Sequence, residues 1–264
     1  MSMRRTVPIT LFAILAALSA IPSQPAVAQT PAPVGNILEQ SSEYRFQLDL
    51  HVNDAALAKM LPAGWASNSA AQGAAKDANL RLILVDAQNI AGPDNKVLGK
   101  GANRIAMLAA PVKSGSDTGQ MILGGISEDP AVPDAYGVYL AATSVKMSRS
   151  ASDANGSVTC TDDWDFEAAG GEHFVLHLKY MRGPANKGGG ATKFYDPANP
   201  SQYQISTTEQ TTDITRNVTT NPPDRVLEFS LKAGGGKYAA LFDGSEKPLS
   251  WDSQPTFVRV VSSN

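Results

Sequence analysis

Residues 44–52 read Tyr-Arg-Phe-Gln-Leu-Asp-Leu-His-Val. Tyr44, Phe46, Leu48, Leu50 and Val52 fall on one side of an extended chain, and Arg45, Gln47, Asp49 and His51 on the other. Successive side chains of a strand point to opposite faces, so this alternation predicts a β-strand with one apolar and one polar face. A polar row of this kind reads first as a solvent face.

The same period continues outward. Strands are predicted at Leu80–Ala87, Arg104–Val112, Gly119–Ile126, Val138–Met147, Ser157–Glu167, His173–Met181, Thr192–Tyr195, Tyr203–Val218, Val226–Lys232, Tyr238–Phe242 and Phe257–Val261. Turn-forming clusters separate them, among them Gly92-Pro93-Asp94-Asn95, Ser114–Asp117, Asp153–Gly156 and Asn221–Asp224. Many short strands with turns between them predict a mostly β chain, a barrel or a sandwich. The Thr-rich stretch Ser206–Thr220 reads as an edge strand or a long hairpin. One short helix is expected from an Asn53 or Asp54 cap to about Leu61, closed by Pro62 and Gly64.

At the N-terminus, Arg4 and Arg5 precede an apolar run from Val7 to Ile21 and a small-x-small site at Ala26-Val27-Ala28. That is the pattern of a cleavable secretory signal over residues 1–28, and the run is too short to span a bilayer core of about 30 Å. The expected product is a periplasmic or secreted chain, soluble after cleavage. It has a flexible leader at 29–40 and a single domain at 41–264. Of 264 residues, 22 are Lys or Arg and 25 are Asp or Glu, a net charge of −3 that falls further when the two signal arginines are removed. A mildly acidic chain without clustered cations argues against a nucleic-acid partner. Cys160 is the only cysteine, so no internal disulfide forms, and it reads as a small buried apolar residue before it reads as a nucleophile. A homo-oligomer stays open.

Common catalytic motifs are missing. There is no G-x-S-x-G, S-x-x-K or H-E-x-x-H, and Gly234-Gly235-Gly236-Lys237 is followed by Tyr238 where a phosphate loop needs Ser or Thr. His173 and His177 share a strand face but would stand about 13 Å apart, too far to hold one metal ion. Asp163, Asp165 and Glu167 alternate along one face without the spacing of a calcium loop and read as a solvated face. No metal and no cofactor is expected. Asp49 and His51 share a face and could orient one another as an acid–base pair.

Two segments resemble the acetoacetate decarboxylase-like family. One is Ala56-Leu57-Ala58-Lys59-Met60-Leu61-Pro62-Ala63-Gly64-Trp65, a short helix ending in a Leu-Pro step between strands. The other is Glu128-Asp129-Pro130-Ala131-Val132-Pro133-Asp134-Ala135-Tyr136-Gly137, similar to the segment before that family's catalytic region. The strand pair Val158–Phe166 and His173–Tyr180 fits the family's order. The resemblance implies a β-barrel-like closed antiparallel sheet, with a few short helices, around an internal cavity. It also implies a small organic acid or carbonyl compound as ligand.

The family's decarboxylases use a Schiff-base lysine activated by a neighbouring cation. The corresponding stretch here, Tyr136-Gly137-Val138-Tyr139-Leu140-Ala141-Ala142-Thr143, contains no lysine; the nearest is Lys146. The family's substrate-contacting arginine falls near His51. The expectation is therefore a small-molecule-binding protein or a non-canonical enzyme. Its ligand anchors would be Tyr139, Tyr136 and Trp65, and its catalytic candidates Lys146, His51 and Asp49. A decarboxylase-type lyase using Lys146 is one alternative, and an accessory barrel without a small ligand is another.

Overall fold

A computed structural model describes residues 36–132, 136–217 and 224–263. The signal and most of the leader lie outside the described residues. In chain order the elements are β1 (Ile37–His51), α1 (Asp54–Ala58), β2 (Ala66–Ser67), β3 (Leu80–Ala91), β4 (Ala102–Ser114), β5 (Asp117–Ser127) and β6 (Tyr139–Ala154). They continue with β7 (Ser157–Ala168), β8 (His173–Met181), β9 (Asn186–Tyr195), β10 (Tyr203–Asn217), β11 (Val226–Gly234) and β12 (Lys247–Ser263). β1 thus begins inside the stretch read as leader. The helix is shorter than its pattern, and Asn53 caps it by accepting from the backbone of Ala55 and Ala56.

The strands form one mixed sheet, part of which closes on itself. β5 pairs with β9, β9 with β10, β10 with β12, β12 with β1, β1 with β3, β3 with β4, and β4 again with β5. The remaining long strands, β6, β7, β8 and β11, form a second layer joined to the ring through β5. The sheet closes as expected and is antiparallel at most of its joints, with two parallel ones. β5 runs parallel to β9 at Gln120–Phe194 and parallel to β6 at Gly125–Tyr139. The branch falls where β5 slips register against β4 between Ile122 and Gly124, just before Gly124 and Gly125, both at positive φ.

The core lies between the ring and the second layer. Phe46, Leu48 and Leu50 of β1 and Leu80, Leu82 and Leu84 of β3 pack with Trp164, Phe166, Phe174 and Leu178, all essentially inaccessible to solvent. Burying each such side chain contributes about 1.5–3 kcal/mol. On β3, Ile83 and Val85 point the other way, into a smaller apolar cluster with Ile105, Met107, Ile122 and Tyr139. β3 is apolar on both faces because both are enclosed.

The polar row of β1 is also enclosed. Glu39, Ser41, Glu43, Arg45 and Asp49 are buried, because this face lines the inside of the ring. Two further expectations are corrected. β10, read as an edge strand or hairpin, is paired on both sides, by β9 and β12. Residues 238–242, read as a strand, form the end of a 3-10 turn beginning at Gly236, with Leu241 and Phe242 donating back to the Tyr238 carbonyl.

Candidate functional site

Inside the ring, near the start of β1, is a cavity of about 350 Å³. One side is apolar, formed by Val85 of β3, Ile105 and Met107 of β4, Ile122 of β5 and Phe194 of β9. The other is a charged quartet: Glu39, Glu43 and Arg45 on β1, and Arg259 on β12. β1 and β12 are antiparallel neighbours with Glu43 opposite Phe257 and Ser41 opposite Arg259. Alternation therefore delivers all four charged side chains to the same interior face.

The quartet is internally paired. Arg259 donates through Nε to Glu43 at 2.8 Å and through Nη2 to Glu39. Arg45 also donates to Glu43, and its guanidinium lies 3.9 Å from the centre of the Phe257 ring. Ser41 Oγ donates to Glu43 at 2.6 Å. Burial alone would raise the Glu43 carboxyl, but Arg45 and Arg259 outweigh it and hold it down at about 2. Glu39 goes the other way: burial and the Glu43 charge raise it against the pull of Arg259. One carboxylate is thus locked as an anion, while its neighbour takes up a proton more readily than usual.

Tyr139 stands in the same cavity, at the start of β6 beside the branch in β5. Burial pushes its hydroxyl well above the ordinary phenol range, so it stays protonated and able to donate a hydrogen bond. Below the quartet, the interior continues into a compartment of about 280 Å³ lined by Gln47, Arg81, Gln120, Thr208, Gln210 and Asp252. Arg45, Phe194 and Ser206 border both spaces. Asp252, whose carboxyl is enclosed although the residue as a whole is half-buried, is pushed up to about 7, first by burial and then by Asp49.

The other residues singled out by sequence do not converge on this cavity. Tyr136 sits beside it, at φ 61°, its hydroxyl donating to the Phe194 carbonyl at 2.8 Å; burial pushes it up to about 12. Trp65 packs on Tyr195, ring centres 4.5 Å apart, outside the ring. Asp49 lies inside the ring but at its far end, where it pairs with Arg81 at 3.0 Å and accepts from Ser250 at 2.8 Å. His51 faces away from it, its Nδ1 2.8 Å from the Asp77 carbonyl oxygen and its Nε2 3.9 Å from Asp54. Asp49 and His51 therefore orient other groups rather than each other.

Lys146 is on the outer face of the second layer, 3.1 Å from Asp165, its side chain 71% exposed. The row Asp163, Asp165 and His177 shares that face, with His177 Nδ1 2.6 Å from Asp163. No group of three metal-ligating side chains is present among the described residues. Sequence reasoning missed Glu39, Glu43 and Arg259 as site residues, and named Arg45 only as part of a polar strand face. The available signal was a polar residue at every second position from Glu39 to Asp49, although Gln40 and Ser42 blur the alternation before Tyr44.

No protein-family model and no curated protein matches the chain. Solved structures do. The enduracididine biosynthesis enzyme MppR, complexed with the condensation product of pyruvate and imidazole 4-carboxaldehyde, superposes with a TM-score of 0.52 at 12% identity, over 91% of this chain and 98% of that one. An acetoacetate decarboxylase-like enzyme from Sphingomonas wittichii RW1 gives 0.50 at 10% identity, over 88% and 93%. Acetoacetate decarboxylase from Legionella pneumophila gives 0.50 at 11% identity, over 91% of each chain. Identities this low speak to fold alone: the chain has the acetoacetate decarboxylase-like fold.

Proposed function

We propose that this chain is an exported protein that holds a small organic acid or carbonyl compound in the ring cavity, without forming an imine to it. One observation carries this reading. The cavity has an apolar wall facing two guanidiniums and a protonated tyrosine, and no lysine is among the described residues that line it. Ligand pockets are commonly apolar with a few placed polar anchors, and this one has that make-up. A Schiff-base amine must be desolvated or set beside another cation, and Lys146 is in solvent against a carboxylate.

The chemistry of the anchors follows from their charges. Arg259 and Arg45 would take the ligand's carboxylate, and Tyr139 would donate to its carbonyl oxygen. The two guanidiniums are balanced by Glu39 and Glu43, so an incoming anion must displace one carboxylate. Glu39 is the one that yields, because its raised affinity for a proton lets it become neutral beside Arg259. Binding of an organic anion is then coupled to uptake of one proton, and neutral Glu39 is a proton donor next to the ligand.

Titration calorimetry with pyruvate and with acetoacetate tests this. Saturable binding is expected, tightening as pH falls through the mildly acidic range, and at 100 times Kd the ligand adds about 2.7 kcal/mol of stability. Arg259→Gln is expected to weaken pyruvate binding at least tenfold. Borohydride trapping with either ligand is expected to leave the mass of the protein unchanged. A trapped adduct that disappears in Lys146→Ala would overturn the reading in favour of a lysine-dependent lyase. Absence of binding by either compound would favour an accessory role without a small ligand.

A further inference from the structure

A second cavity lies outside the ring, between it and the second layer, with a buried acid on its floor and two exposed guanidiniums at its mouth. Its volume is about 350 Å³. On β7 the core-facing row is Cys160, Asp162, Trp164 and Phe166, so a carboxyl stands where the pattern calls for an apolar side chain. Asp162 is fully buried. It accepts from the Tyr44 hydroxyl at 3.2 and 3.3 Å and makes no direct ion pair among the described residues, although the charge of Arg149 acts on it. Tyr180 and Ser253 complete the floor, the Tyr180 hydroxyl donating to Ser253 Oγ at 3.1 Å.

The mouth carries the opposite charge. Arg149 of β6 and Arg182, just after β8, are both exposed and both line the cavity. Arg149 stands directly across the strand pair from Asp162, yet its guanidinium lies over the Tyr44 ring, 3.6 Å from the ring centre. Arg182 donates to Cys160 Sγ at 3.3 Å. Neither makes an ion pair with a carboxylate among the described residues. The other acid at this site, Asp213, is already satisfied by Arg225 at 2.5 Å and by the Gly183 backbone at 2.8 Å. A buried carboxyl and two guanidiniums, none of them in a direct ion pair among the described residues, thus face one space, and Arg149 acts on Asp162 only through its field. Burying an ionisable group without a direct ion pair is costly, and burial has raised Asp162 to about 6 against the pull of Arg149 and the Tyr44 and Tyr180 hydroxyls.

From this geometry we infer that the cavity between the layers is a binding site for a small amino acid, with the ligand's carboxylate held between Arg149 and Arg182 and its ammonium on Asp162. An anion alone would leave the acid on the floor unexplained, and a cation alone would leave both arginines unexplained. Tyr44, Tyr180 and Ser253 supply hydroxyls that can serve either end. The site is separate from the ring cavity, whose charged quartet contributes no residue to it.

Titration calorimetry on the full mature chain tests the assignment, with L-alanine, L-leucine and 4-aminobutyrate as zwitterions and with propionate and ethylammonium as their single-charge halves. At least one zwitterion is expected to bind saturably, and each half at least tenfold more weakly. Asp162→Asn, which keeps an acceptor for Tyr44, is expected to weaken the zwitterion at least tenfold while leaving the Kd for pyruvate within twofold. Arg182→Gln at the exposed mouth gives the same test should the buried substitution disturb folding. Propionate binding as tightly as the zwitterions, no saturable binding by any of the three, or full affinity in both variants would each overturn the inference.

Discussion

Glu43 shows how one side chain can be fixed by its surroundings. It has no solvent contact, and two guanidiniums and a serine hydroxyl donate to it. Removing one partner of a buried ion pair typically costs about 3–5 kcal/mol, because the remaining charge stays enclosed. Glu43→Gln is therefore expected to lower stability by about that amount at pH 7, read as a shift of the urea midpoint with little change in slope. The pH dependence has a definite sign. The folded carboxyl sits at about 2 against 4.5 when unfolded. Its contribution is complete above about pH 4.5 and is lost as pH falls from there towards 2, since the unfolded chain binds the proton first. The gap between wild type and Glu43→Gln should narrow across that window. A gap that stays constant down to pH 2.5 would mean that the arginines do not hold this group.

At the scale of elements, the decisive feature is the split in β5. Its first half pairs with β9 and closes the ring, and its second half pairs with β6 and opens the second layer. Gly125 makes the split sterically feasible: a Cβ there would stand 2.0 Å from the Ala106 carbonyl oxygen, at a φ of 145°. The Tyr238 hydroxyl accepts from the Gly125 N–H at 2.6 Å and pins the distorted strand from the other side. Gly125→Ala is expected to destabilise the protein by about 1–3 kcal/mol through overpacking, with strain at positive φ adding to it. Calorimetry should show Tm falling by several degrees, at about 2–4 °C per kcal/mol for a domain of this size. Gly188→Ala on β9, where a Cβ meets nothing within 4 Å, should leave Tm nearly unchanged. Equal Tm values for the two variants would remove the branch from its structural role.

The same scale explains what could be read in the sequence. Period-two patterning located most strands, since alternation follows from the pleat itself. It could not say which polar face looks outward. Arg45, Gln47 and Asp49 resemble a solvent row and instead line a closed ring, because enclosure depends on β12 and β3 flanking β1, pairings across long stretches of chain. Glu39 and Arg259, which meet in the cavity, are 220 positions apart. Tyr139, named in the stretch 136–143 that corresponds to the family's lysine region, lines the cavity, whereas the quartet beside it has no local signature. Tyr238, Leu241 and Phe242 fit a strand by composition, but their spacing of three and four is that of a helical turn, and all three are buried.

For the whole molecule, the question is where the folded unit begins and where it works. The first strand opens at Ile37 and contributes Glu39 to the ring cavity only two residues later. Export as proposed requires any processing to stop short of Ile37, and cleavage at the small-x-small site Ala26–Ala28 would leave the strand intact. Cleavage after Ala28 gives a chain starting at Gln29 with eight residues before β1. Intact-mass analysis of the protein from a fractionated bacterial host is expected to show that species in the periplasm or medium. Its Tm should be the same with and without dithiothreitol, because Cys160 is the sole cysteine and is buried. An oxidising compartment would then add nothing to stability, which comes from the apolar layer between ring and second sheet. A chain retaining Met1 and confined to the cytoplasm would refute export, while leaving the two cavities and their ligand tests untouched.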